Sequence, residues 1–198
     1  MLRICITSRE RFFLNEDYQQ KDYDLLLLEL EKRKTTPDFI LLREQLDFRN
    51  SQDYRRLAEK LLPTFGKKLI LHSRAELANE FGVPLHFSYM QVHEILNAQH
   101  LNRIPFFSVS VHSVDQVKEL EKLPKQITTR IRFLLAGHVF STPSHPQTPG
   151  KGLNWLKKVV DNSSLDIIAV GGINNLNMKI LMDSGIVGWA GISTWLEN

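Results

Sequence analysis

Eight short apolar, β-rich runs alternate with longer amphipathic segments along this chain, and that alternation constrains the fold more than any other feature. The first four runs are Leu2–Thr7, Phe39–Arg43, Lys68–His72 and Pro84–Phe87. The second half adds Pro105–Ser110, Ile131–Ala136, Asp166–Val170 and a last run near Val187–Ile192. Helical spacing occupies Tyr18–Lys34, Ser51–Leu62, Ala75–Glu80, Val114–Leu123, Leu153–Val160 and Asn175–Ser184. Strands that are apolar along most of their length are buried on both faces, as in a parallel sheet covered by helices. Eight of them favour an α/β fold closed into a single (β/α)8 TIM-type barrel, with an open three-layer sheet as the alternative.

Length sharpens this expectation. The chain has 198 residues, whereas such barrels run to about 250, with a floor near 200. The barrel is therefore expected to be short and free of insertions. After the eighth run only Ser193–Asn198 remain, so the last helix is expected to be missing or truncated. No linker, low-complexity tract or second domain interrupts residues 1–198, which read as one barrel domain.

Charge and cysteine content narrow the function classes. The net charge is +3, and the Lys and Arg side chains are spread among acids, as in Glu29-Leu30-Glu31-Lys32-Arg33-Lys34. That run reads as the solvated end of a helix, and nucleic-acid binding would need a denser basic patch. The single cysteine, Cys5, excludes an internal disulfide and any multi-cysteine zinc site; it reads as a buried, inert thiol. No signal peptide and no apolar stretch of membrane-spanning length is visible, so a cytoplasmic protein is expected.

In a barrel of this type, function sits in the loops after the strand C-termini. The residues there are Arg43, His72, His86, Ser110, His112, His138, Thr142, Gly171, Gly172, Ser193 and Thr194, a set with four histidines and no carboxylate. Gly171-Gly172 follows the seventh run and Ser193-Thr194 the eighth, the place where these barrels often hold phosphate. Glycine amides can approach a phosphate closely, and a helix N-terminus adds positive potential. The other reading is that the glycines only make a tight turn. His138 follows the sixth run and is a candidate acid/base, since imidazole titrates near neutral pH; a hydrogen-bonded structural role is the alternative. His72, His86 and His112 could in principle bind a metal, but they come from three separate runs with no spacing that enforces convergence. No metal site is expected, and His93, His100 and His145 read as surface residues.

Read in order, these motifs resemble the thiamine-phosphate synthase and TenI-like superfamily. The likeness runs through Ile40-Leu41-Leu42-Arg43-Glu44, Ser110-Val111-His112-Ser113 and Gly137-His138-Val139-Phe140-Ser141-Thr142-Pro143. It continues in Gly150-Lys151-Gly152-Leu153, Ala169-Val170-Gly171-Gly172-Ile173 and Ile192-Ser193. The resemblance implies a small-molecule ligand, thiazole phosphate, gripped by Ser110, Thr142, Gly171, Gly172 and Ser193. Arg43, His86, His112 and Thr194 become further candidates for contact with it.

The departures are as informative. Synthases use Mg²⁺ on carboxylates to release pyrophosphate. Here the family's Asn-Asp after the third strand is His72-Ser73, and its second acid corresponds to Gln91. Gln45, His145 and Leu41 replace further polar residues of that machinery. Gly137-His138 stands where synthases carry Gly-Pro, and the resemblance to the thiazole tautomerase branch makes His138 the expected proton shuttle. The resulting expectation is a cofactor-free isomerase acting on a carboxylated thiazole phosphate. A divergent synthase using Mg²⁺ is the first rival, and a non-catalytic phosphate-binding or partner protein the second. Apolar surface left bare by a missing last helix could be covered in a homodimer.

Overall fold

The computed structural model describes residues 1–7, 37–43, 52–97, 100–142 and 147–195. The expected helix over Tyr18–Lys34 lies outside these residues, as do Glu44, Gln45 and His145. Eight parallel strands close a barrel in chain order, with β1 pairing both β2 and β8. They are β1 (Leu2–Ile6), β2 (Phe39–Leu42), β3 (Leu69–His72), β4 (Leu85–Phe87), β5 (Phe107–Val111), β6 (Ile131–Gly137), β7 (Asp166–Val170) and β8 (Gly188–Gly191). The described helices are α1 (Gln52–Phe65), α2 (Ala75–Phe81), α3 (Val92–Asn97), α4 (Val114–Glu121), α5 (Lys125–Thr128), α6 (Gly152–Asp161) and α7 (Met178–Leu181). The closed sheet excludes the open three-layer alternative.

Alternation along each strand sorts side chains into two layers. Ile4, Ile6, Leu41, Ile70, Leu135, Ile168 and Ala190 point into the barrel. Cys5, Ile40, Leu42, Leu71, Val109 and Ile167 point outward and pack under the helices, so Cys5 is the buried thiol expected. Three aromatic rings, Phe39, Phe106 and Phe133, plug the N-terminal end with centroids 5.5–6.0 Å apart. On the side formed by β3, β4 and β5 the inner layer turns polar: His72, His86 and Ser108 are buried there in adjacent register. Thus one side of the barrel wall is apolar and the other carries hydrogen-bonding groups.

The helices follow their apolar stripes. In α1, Tyr54, Leu57, Ala58, Leu61 and Phe65 are buried, a spacing of three and four that lays one face on the sheet. That stripe carries the helix through Pro63, three residues beyond the expected end at Leu62. After β8 the described chain makes a 3₁₀ turn, Ser193–Trp195, rather than a full helix. Among the described residues no helix is long and apolar enough to cross a membrane.

Candidate active site at the barrel mouth

A cavity of about 670 Å³ opens at the C-terminal end of the strands. Its floor is apolar, made by Ile6, Leu41, Leu135 and Val170. Arg43, His72, His86, Ser110, His112, His138, Thr142, Gly171, Gly172 and Thr194 all line it. The structure therefore brings together ten of the eleven strand-end positions picked out by sequence. The eleventh, Ser193, lies in the turn that follows β8.

Each histidine has a different setting. Nε2 of His138 lies 3.1 Å from the Pro149 carbonyl and 3.3 Å from that of Thr148. Carbonyls only accept, so Nε2 carries the proton and, in the neutral ring, Nδ1 is the basic nitrogen. In His112 the roles reverse: Nδ1–H donates to the Gly137 carbonyl at 2.9 Å, which makes Nε2 the acceptor. His86 is almost wholly buried, with Nδ1 2.8 Å from Ser108 Oγ and Nε2 2.8 Å from Ser110 Oγ. Burial foremost, then the neighbouring His72 and Arg43, holds its pKa well below the ordinary 6.5. The His72 ring stacks on it with centroids 5.4 Å apart, and His72 Nδ1 sits 3.2 Å from Ser73 Oγ. Ser73 in turn donates to Gln91 Oε1, which also accepts from the Ser88 amide and hydroxyl. His72, Ser73, Ser88 and Gln91 thus share one hydrogen-bond network on this side of the mouth. Among the described residues no group of three His, Cys, Asp or Glu is placed to hold a metal. His93 and His100 are exposed, as expected.

The loops after β6 and β7 are built against each other. Val139 N–H donates to the Val170 carbonyl and Phe140 N–H to that of Gly171. A Cβ on Gly171 would sit 2.4 Å from His138 Cβ, and one on Gly172 would sit 2.3 Å from the Ser141 carbonyl oxygen. Both glycines also have positive φ, 100° and 63°, which other L residues rarely adopt. The glycine pair therefore has a steric reason to be there, independent of any ligand. Lys151 braces the same region: its Nζ donates to the His112 and Gly137 carbonyls at 2.6 and 3.0 Å. Its amide donates to the His138 carbonyl. Burial pulls the pKa of this ammonium below its ordinary value.

The hydroxyls are partly committed. Thr194 donates to the Ile173 carbonyl, and Ser110 is engaged with His86. Two residues that shape the site were not singled out from sequence. Ser108 escapes notice inside an apolar run, although a polar pair at positions 108 and 110 of one strand marks a shared inner face. Asn177 donates from Nδ2 to the Gly172 carbonyl and so holds the glycine loop.

A polar-walled mouth on a (β/α)8 barrel defines a class, and comparison with known proteins gives it a family. The profile described as thiamine monophosphate synthase matches residues 16–195, and the chain belongs to that family. It is 26% identical over 189 residues to the thiamine-phosphate synthase of Vibrio parahaemolyticus, covering 92% of this chain and 88% of that protein. The synthase of Coprothermobacter proteolyticus is 38% identical over 85 residues, and a putative second synthase of Aquifex aeolicus 34% over 88. Those two matches take in 43% and 44% of this chain but span only 37% and 44% of the relatives' own length. Among solved structures, thiamine phosphate pyrophosphorylase from Pyrococcus furiosus superposes with a TM-score of 0.62 at 20% identity. That match covers 97% of this chain and 86% of the other, a likeness of fold.

Proposed function

We propose that this member of the family is a thiazole tautomerase, converting an exocyclic carboxylated thiazole phosphate to its aromatic tautomer by moving one proton. The observation that carries the reading is His138 on the cavity wall, with Nε2–H held by the Pro149 carbonyl so that Nδ1 is the basic nitrogen. A general acid/base so placed contributes roughly 10²–10⁴ in rate. In this reading Ser110, Thr142, Gly171, Gly172 and Ser193 grip the phosphate. Arg43 faces the substrate carboxylate, a pairing that suits a planar guanidinium. His112, fixed by its bond to Gly137, and Thr194 complete the wall around the ring.

The second reading, a divergent thiamine-phosphate synthase, is favoured by the names its relatives carry. The synthase reaction calls for Mg²⁺, and the described lining does not fit that ion. It offers imidazoles, hydroxyls, amides and one guanidinium, with no Asp or Glu among the described lining residues.

Two assays on the purified protein separate the readings. Incubation with the carboxythiazole phosphate tautomer, followed by proton NMR, is expected to show isomerisation that His138→Ala slows at least roughly tenfold. An unchanged rate in that variant removes His138 from the chemistry. Formation of thiamine phosphate from pyrimidine diphosphate and thiazole phosphate with Mg²⁺ would overturn the tautomerase reading in favour of the synthase.

A further inference from the structure

The chain of contacts from Ser108 through His86 to Ser110 is not used by the proton transfer described above, yet two of its three members are buried polar groups. A neutral imidazole has one N–H and one bare nitrogen, so one of the two serines must donate to His86 and the other must accept from it. Burial decides which. Ser108 is wholly inaccessible, does not line the cavity, and among the described residues its hydroxyl has no hydrogen-bond partner besides His86 Nδ1. If Nδ1 carried the proton, the Ser108 O–H would be a desolvated donor with nothing to accept it. Ser110 escapes that constraint, because it is partly exposed and lines the cavity. The lower-energy arrangement therefore has Ser108 O–H donating to Nδ1 and Nε2–H donating to Ser110 Oγ. The remaining proton of Ser110 then faces the cavity.

We propose that Ser108, His86 and Ser110 form a donor relay ending in the Ser110 hydroxyl, which is aimed at a hydrogen-bond acceptor atom of the bound small molecule. The acceptor is an oxyanion oxygen or an unprotonated ring nitrogen; a ligand N–H, which has no lone pair to offer, would meet a donor already committed outward. His86 and Ser108 are positioning residues, since they act on the ligand only through Ser110. The register makes the relay: His86 pairs with Ser108 across β4 and β5, and Ser110 lies two residues further along the same inner face. The stacked His72 ring and nearby Arg43 reinforce the neutral state of His86, as both oppose a second positive charge.

The tautomer itself is the test. Protein labelled with ¹⁵N-histidine, with His86→Gln used to assign the signals, should show His86 Nδ1 as the far-downfield, unprotonated nitrogen and Nε2 as the protonated one. The Nε2–H form should exceed the other by at least roughly fivefold, the scale set by one unmade buried donor bond. A predominant Nδ1–H form in the wild-type protein overturns the relay without need of a variant. Ser108→Ala should bring the two tautomers closer to parity. A ligand arm, which rests on the thiazole reading, follows binding of thiazole phosphate by calorimetry: Ser108→Ala should weaken it about three- to tenfold although Ser108 does not reach the cavity. Unchanged affinity with scrambled tautomers overturns the ligand-facing half of the proposal. Failure of the wild-type protein itself to bind counts against the thiazole reading, while the wild-type spectrum decides the relay.

Discussion

His86 is neutral inside the barrel because charging it would place a cation among buried serines beside His72 and Arg43, and this ties stability to pH. Its folded pKa lies well below the ordinary 6.5 that it regains on unfolding. Between those two values the unfolded chain binds a proton that the folded chain refuses, so stability rises with pH. The contribution is complete above about pH 6.5 and is lost as pH falls towards the depressed folded value. One such proton changes unfolding free energy by up to about 1.4 kcal/mol per pH unit. Urea midpoints from pH 7 down to 5 should therefore fall more steeply for the wild-type protein than for His86→Gln. Parallel slopes in the two proteins would mean that His86 is charged when folded.

At the scale of elements, the decisive contact is between the loops after β6 and β7. Gly171→Ala would drive a methyl group to 2.4 Å from His138 Cβ at a backbone φ of 100°. The strain and the displaced loop should cost at least about 2 kcal/mol in a urea titration and, on the proposed function, slow the proton transfer by displacing His138. A variant with wild-type midpoint and rate would show that the loops can part freely. Elements like β7 were legible because Asp166–Val170 is an apolar run bounded by polar residues and Gly-Gly, and the strand has those bounds. β5 was expected from Pro105 but begins at Phe107; Pro105 has no amide to give, and Phe106 joins the aromatic plug instead. The helix expected over Asn175–Ser184 shrinks to Met178–Leu181 and a 3₁₀ turn. Asn174 and Asn177 exchange backbone-to-side-chain bonds and so delay its start. α3 was not expected from the spacing; it continues a 3₁₀ turn, Tyr89–Gln91, opened by the capping box Ser88-x-x-Gln91, and four-residue α5 carries too little periodicity to read. The mouth residues were legible because barrel geometry sends every strand end to one place. The stacking of His72 on His86 was not, because it depends on strand register, which local pattern does not encode.

For the whole molecule, the question is how the barrel is sealed where β8 meets β1. β8 lies against β1, so the outward faces of both need cover that a following helix would ordinarily provide. Trp195, in the turn after β8, folds back and stacks on Trp189 with ring centroids 5.3 Å apart and planes at 29°. Both rings are nearly inaccessible, and Trp195 Nε1–H donates to the Ile4 carbonyl at 3.2 Å. One side chain thus covers the seam from within the chain and ties its last described residue to its first strand, 191 positions earlier. The stacked pair buries this stretch of the β1–β8 seam within the chain. Removing a buried ring of this size costs about 3–5 kcal/mol, a large fraction of the stability of a domain. Trp195→Ala should therefore lower the thermal midpoint steeply while unfolding stays a single transition, since the seam joins elements whose separation opens the entire sheet. Trp195→Phe keeps a stacked ring but loses the bond to Ile4, and should cost only about 1 kcal/mol. If Trp195→Ala melted at the wild-type temperature in circular dichroism, the seam would be held by β1–β8 pairing alone, and the terminal turn would be an appendage rather than the closure of the barrel.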